Sequence, residues 1–179
     1  MSDHSISIVP VISCYPDAEK KEKEILQWLA EEKIIQPNTS DCILGGDGYP
    51  IADGAVNVVI EPEYLPFNLI VNGLEIVTRK NIFHTGQNGV EELFCSACKQ
   101  DLAGEDWDFF GRWLENSDDC ITCPRCSTSR SIHDFTFVPQ WGFSDIGFVF
   151  WNWPNFTKTF VEEFELRLGC RANIVHTWI

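Results

Sequence analysis

Basic residues are scarce in this chain. It has 13 Lys and Arg against 27 Asp and Glu, a net charge of -14. Proteins grip phosphate backbones and anionic lipid mainly through basic contacts, so this balance argues against DNA, RNA or an anionic membrane as partner. It favours solubility and attraction to something basic. Long apolar runs are also missing, and nothing approaches the ~20 residues of a membrane span. Residues 5–14 are apolar, but Asp3 precedes them and no Lys or Arg does, so they do not read as a secretory signal. The expected compartment is therefore the cytoplasm, where thiols stay reduced. The only histidines are His4, His84, His133 and His176, and none sits in a metal or hydrolase motif. No Gly-Lys dipeptide occurs, and Gly45-Gly46-Asp47-Gly48 lacks the G-x-G-x-x-G spacing, which leaves that loop as a turn rather than a phosphate cradle. There is no internal repeat and no low-complexity tract.

What remains is ordinary globular material. The 179 residues are 44% apolar and 22% charged, with 7 Trp and 13 Phe to build a core, which suits one domain or one domain with an inserted module. Residues 5–13 alternate as a first strand. Pro16 and Asp17 open a helix to about Ile34, with Ile25, Leu26, Trp28 and Leu29 on its apolar face. Val56–Ile60 reads as a short strand. Asn72-Gly73 tolerates positive φ at both central positions, so residues 68–71 and 74–77 are expected to form a hairpin. Aromatic strands follow between Phe135 and Trp153. Asn155 or Thr157 caps a last helix with Phe156, Phe160, Phe164 and Leu168 at helical spacing, with a Thr159–Glu162 capping box one turn later as the alternative start, and Gly169 ends it. Ala172–Ile179 is a final strand. Strand, helix, hairpin, aromatic strands, helix and strand approximate β-α-β-β-α-β. The expected fold is α+β, a split βαβ (ferredoxin-like) sandwich with two helices on one face of an antiparallel sheet. Residues 1–90 and 138–179 form this main domain, and 91–137 form an insertion.

The insertion carries the strongest motif. Cys95-Ser-Ala-Cys98 and Cys123-Pro-Arg-Cys126 are two C-x-x-C pairs separated by 24 residues. Two residues between thiolates let one tight turn aim both sulfurs at a single ion, and two such turns complete a tetrahedron. Cys95, Cys98, Cys123 and Cys126 are therefore the expected metal ligands. Cys120-Ile-Thr-Cys123 is also a C-x-x-C, which leaves Cys120 as an alternative ligand, but the Pro124 turn favours the later pair. Iron suits four thiolates as well as zinc does. Zinc is expected because no electron-transfer motif accompanies the site. Four thiolates leave no open position for substrate, so the metal's role is structural. Cys14, Cys42 and Cys170 have no partner at ligand spacing and are expected in the core.

The paired cysteines resemble the zinc-ribbon and rubredoxin-type knuckle families. Those knuckles often have Gly after the second Cys of each pair, where this chain has Lys99 and Ser127. The run from Trp141-Gly142-Phe143 to Phe150-Trp151-Asn152-Trp153-Pro154, with the Cys-Pro-x-Cys knuckle before it, resembles an uncharacterised bacterial family, some of whose members carry a sugar-transporter ATPase label. With no nucleotide motif here, the resemblance implies no activity and no functional residues.

Two stretches point to interaction. Residues 91–119 hold nine acids, among them Asp118, against Lys99 and Arg112, a local excess of seven negative charges. Glu105, Asp106 and Asp108 interleave there with Trp107, Phe109, Phe110 and Trp113. These seven residues are the expected partner surface, a mixture of aromatics and charge met at interfaces. The competing expectation is a small amphipathic helix folded back on the ribbon. In the second stretch, alternation places Phe148 and Phe150 inward and Trp151 and Trp153 on the other side, where the outer pair lines a pocket. The function expected from these features is non-catalytic binding of a basic protein, as immunity proteins bind toxins. The alternatives are an enzyme using Asp47 or Asp145 in the aromatic pocket and, more weakly, a zinc-ribbon nucleic-acid adapter. His133-Asp134 reads as a solvated turn, and a Cys14–His84 dyad has no local support.

Overall fold

A computed structural model describes residues 3–115 and 119–179 of the chain. Asp118, counted above, lies outside them. In chain order the elements are β1 (His4–Pro10), α1 (Ala18–Glu31), β2 (Ser40–Ile43), β3 (Gly46–Gly48), β4 (Leu74–Val77), β5 (Asn81–Phe83), β6 (Glu92–Phe94) and α2 (Asp108–Glu115). They continue with β7 (Cys120–Thr122), β8 (Ser129–Ser131), β9 (Thr136–Val138), β10 (Gly142–Ser144), β11 (Gly147–Trp151), α3 (Lys158–Leu168) and β12 (Ala172–Trp178). The architecture is mixed α+β.

The largest sheet has strand order β12-β1-β11-β4, and every neighbouring pair is antiparallel. Alternation decides its two faces. Ile6 and Ile8 of β1, Leu74 of β4, and Phe148 and Phe150 of β11 share one core with Ile25, Trp28 and Leu29 of α1 and Phe160, Phe164 and Leu168 of α3. Both helices therefore cover the same face. Each fully buried Phe, Leu or Ile there contributes about 1.5–3 kcal/mol. Thr157 caps α3 by accepting from the Phe160 N–H, and Gly169 closes it in the left-handed conformation. Lys33, also left-handed, turns the chain just after α1.

The opposite face is covered as well. Val9, Val149, Trp151 and Val175 meet Cys42, Ile43 and Phe83 in a second core. Two glycines permit this approach. A Cβ on Gly147 would sit 2.2 Å from the Phe83 ring, and one on Gly142 would sit 2.9 Å from Val9. A third core fills residues 91–137 and draws Trp141 and Phe143 from beyond them.

Several expectations are corrected. Residues 68–71 do not pair with β4. The Asn72 and Gly73 N–H groups both donate to the Cys42 carbonyl, and β4 pairs with β11 instead. Val56–Ile60 is not a strand, because Asp53–Asn57 coil into a 3-10 turn. Gly45, at positive φ, closes the small β2–β3 hairpin. Trp151 does face away from Phe150, but Trp153 returns to the helix-covered core. Asn152 takes a left-handed conformation at the strand end and breaks the alternation between them. Of the three cysteines expected in the core, Cys42 is buried and Cys170 half-buried, but Cys14 is exposed.

Candidate metal centre

The four cysteines are separated in sequence by a helix and a strand, yet two matching turns bring them together. In the first, the Lys99 N–H donates to the Cys95 carbonyl at 2.9 Å and the Cys95 N–H to the Gln100 carbonyl at 3.3 Å. In the second, the Ser127 N–H donates to the Cys123 carbonyl at 2.9 Å and the Cys123 N–H to the Thr128 carbonyl at 3.0 Å. Lys99 and Ser127 both have φ of 59°. These are the two places where knuckles often have Gly, so the turn is kept here at the strain of two left-handed side-chain-bearing residues. β6–β9 and β7–β8 are the short ladders from which the turns project.

The four sulfurs lie within 4.8 Å of one another. Cys95 Sγ is 3.9 Å from Cys126 Sγ, and Cys98 Sγ is 3.9 Å from Cys123 Sγ. These separations are far too long for a disulfide. A tetrahedron with metal–sulfur bonds of about 2.3 Å has edges of about 3.8 Å, so the cluster has the size of a four-thiolate metal site. Cys95 and Cys123 are buried, while Cys98 and Cys126 are half-buried. Hydrogen bonds from the Thr128 hydroxyl and backbone pull the Cys126 thiol down to about 6. The Gln100 backbone also favours ionised Cys98, but burial and the three neighbouring thiols push Cys98 up to about 11. Cys120 is exposed on β7 and stands outside the cluster.

The aromatic part of the expected partner surface is not on the surface. Helix α2 buries Phe109, Phe110 and Trp113. Phe110 stacks on Trp141 at 5.4 Å and on Phe143 at 5.8 Å, and Trp113 meets Phe143 edge-on at 5.3 Å. Trp107 is partly buried against Phe110 and Trp141. These side chains are the core under the cysteines, because a helix this short is stable only with its apolar face covered. Asp106 and Asp108 are exposed, and Glu105 pairs with Arg125 of the second cysteine turn at 2.5 Å.

A second polar cluster went unseen in the sequence. Ser13 Oγ donates to Asp119 Oδ1 and lies 2.9 Å from His133 Nε2. Trp113 Nε1 donates to the same serine at 3.2 Å, and Ser131 Oγ donates to Asp119 Oδ2 at 2.8 Å. His133 is therefore no solvated turn residue, since its side chain is only 10% exposed. Because the serine hydroxyl is spent on Asp119, His133 donates from Nε2, and its Nδ1 is left buried without a partner. The carboxylate binds the serine rather than His133 Nδ1, so this is not the order of a hydrolytic triad. The group instead ties Trp113, Asp119 and His133 to Ser13, just beyond β1. Asp145 and Asp47 are not brought together. Asp145 Oδ1 accepts from the Tyr15 N–H at 2.7 Å, and Asp47 is an exposed residue of the β2–β3 hairpin.

Burial pushes the His133 imidazole below its ordinary 6.5, against the raising effects of Asp119 and then Asp134. Burial alone raises Asp119, but the hydrogen bonds from Ser13, Ser131 and Trp113 and the nearby imidazole bring it down overall. A lowered histidine takes up its proton in the unfolded chain first. Its effect on stability is absent well above pH 6.5 and becomes an increasing loss as pH falls from there toward the folded value. Asp119 adds its loss only lower, below the ordinary carboxylate range. His176, lowered by burial and then by His4, acts like His133. Denaturant titrations at pH 7 and pH 5 are expected to show that His133→Gln reduces the stability lost between them without abolishing it. An unchanged difference would remove His133 from this role.

Comparison of this chain with family models, curated proteins and solved structures found no match in any of the three. The resemblance to an uncharacterised bacterial family thus rests on the quoted motifs alone. Among the described residues, no helix is long and apolar enough to cross a membrane.

Proposed function

We propose that this chain is a cytoplasmic, non-catalytic binding protein, stabilised by a structural zinc ion, whose acidic surface holds a basic protein partner. In this reading residues 1–90 and 138–179 form a split βαβ sandwich of the ferredoxin-like kind. Residues 91–137 are an inserted zinc ribbon with Cys95, Cys98, Cys123 and Cys126 as ligands. Strand order β12-β1-β11-β4 with both helices on one face supports the sandwich. The tetrahedron-sized sulfur cluster supports the ribbon. Four thiolates fill a zinc coordination shell, which leaves the metal no vacancy for substrate.

The single observation that carries the binding role is the charge of -14. Such an excess steers basic proteins and repels nucleic acid. Neutralising a basic toxin, as immunity proteins do, is the role this charge suits best, and the likeness is one of charge and size alone. The test is affinity purification of the tagged full chain from its source cells at low salt. A single stoichiometric basic protein, released by about 1 M salt, is the expected result, because exposed charges are screened at that strength. A partner retained unchanged through that salt, or a co-purifying metabolite in place of a protein, would contradict it.

A further inference from the structure

Between β3 and β4 the chain runs through 25 residues without a strand, and these residues show two sides. Ala55, Val58, Val59 and Leu65 are buried in the helix-covered core. The Ile60 N–H donates to the Asn155 carbonyl at 2.8 Å and the Thr157 N–H to the Val58 carbonyl at 2.9 Å, which fastens the segment to the start of α3. Ile51 and Pro66 are buried too, but several of its large side chains point outward. Ile60 is 62% exposed, Tyr64 66% and Ile70 79%, with Phe67 and Leu69 exposed beside them. An anchored segment that shows this many large apolar side chains is a preformed contact surface rather than a loose loop.

Two grooves run along it. One, of about 400 Å³, is lined by His4, Glu61, Tyr64, Trp153, His176 and Trp178 among others. The next, of about 380 Å³, is lined by Glu63, Tyr64, Leu65, Pro66 and Leu69. Both grooves include His4, Tyr64 and Asn152, so they form one trough that meets at Tyr64. Trp178 stacks on His4 at 5.1 Å and stays partly exposed at one end. The charge around this trough has one sign. The carboxylates that line it are Glu61 and Glu63. No Lys or Arg lines either groove.

We infer that this trough, centred on Tyr64 and edged by Glu61 and Glu63, is the surface that receives the basic partner, an inference that rests on the binding-protein reading above. The occupant is a protein segment with a large apolar side chain set between lysines or arginines. The apolar side chain fills the trough beside Tyr64, and the cations meet the two glutamates. A second copy of this chain would bring the same carboxylates face to face, which like-charge repulsion opposes. Helix α2 shows one large exposed apolar side chain, Leu114, against five on residues 60–70, since its aromatic side chains are core.

The test is amide chemical-shift mapping on the full chain. The probe is a short synthetic peptide alternating Lys or Arg with Leu and Trp. A peptide with Ser for each apolar residue and one with Glu for each basic residue are titrated beside it. The basic apolar peptide alone is expected to bind, with shifts confined to His4, residues 60–70, Asn152 and residues 176–178. Tyr64→Ser should weaken it roughly tenfold, as truncation of a central anchor does. Glu61→Lys with Glu63→Lys should weaken it by a similar factor and flatten its salt dependence. Both changes are at the surface, and unaltered amide positions elsewhere show that the fold is intact. Binding mapped to Asp106 and Asp108 would overturn the trough while leaving a basic partner in place. Equal binding of the acidic peptide, or of no basic peptide, would overturn the binding-protein reading itself. Shifts at the trough that grow with protein concentration alone would assign it to a second copy and overturn the inference.

Discussion

Replacing Cys123 by Ser should strip the metal and unfold residues 91–137 while the four-stranded sheet stays folded. The reason is the shortage of other support in that region. β6, β7, β8 and β9 are three residues each, and α2 is eight. Isolated two-stranded ladders and helices of that length do not stand in water. Zinc binding in comparable small folds is worth about 10–16 kcal/mol, more than most domains have in total. Cys123 is buried, so a hydroxyl there leaves three thiolates and a poor fourth ligand. The sheet has its own core, built from β1, β4, β11, α1 and α3, which uses no residue of 91–137. Zinc content, near-ultraviolet dichroism and limited proteolysis read the outcome together. Loss of zinc with new cleavage confined to 91–137 is expected. Cys120→Ser, outside the cluster, should keep its metal. Unchanged protease resistance after complete metal loss would show that the ion holds nothing.

Phe110→Ala should cost about 3–5 kcal/mol of stability, the scale of a large-to-small change in a packed core. Phe110 packs against the rings of Trp107, Phe109, Phe137, Trp141 and Phe143, so its loss opens a cavity among them. Asp106→Ala and Asp108→Ala, on the same stretch but exposed, should stay within about 0.5 kcal/mol. Denaturant midpoints for the three variants decide the matter. A small effect for Phe110→Ala would return this aromatic run to the surface that its sequence first suggested.

That misreading shows where sequence reasoning stops. Acids and aromatics alternate from Glu105 to Trp113 in a way that fits both an interface and an amphipathic helix. Only the presence of Trp141 and Phe143, about thirty residues on, selects the helix. The cysteine turns were legible because their chemistry is local: two residues between thiolates constrain one turn. The faces of α1 and α3 were legible for the same reason, but the sequence does not choose the cap among Asn155, Thr157 and Thr159, and Phe156 lies before the helix rather than in it. The Ser13, Asp119 and His133 cluster was not, because its members lie 106 and 120 residues apart and carry no motif. Nor did the sequence reveal that both faces of the sheet are covered. Asn72-Gly73 has the composition of a hairpin turn, yet its N–H groups are taken by Cys42 from a distant strand. A Cβ on Gly73 would lie 2.2 Å from Cys42 Sγ, so glycine is required there by packing rather than by turn geometry.

The most direct test of the account is metal analysis with X-ray absorption at the metal edge on the purified full chain. One zinc per chain, with four sulfur neighbours at about 2.3 Å, is the predicted result. One iron in the same sulfur shell would contradict the choice of zinc. A folded protein without stoichiometric metal, or an ion bound by nitrogen and oxygen, would contradict the four-thiolate site itself.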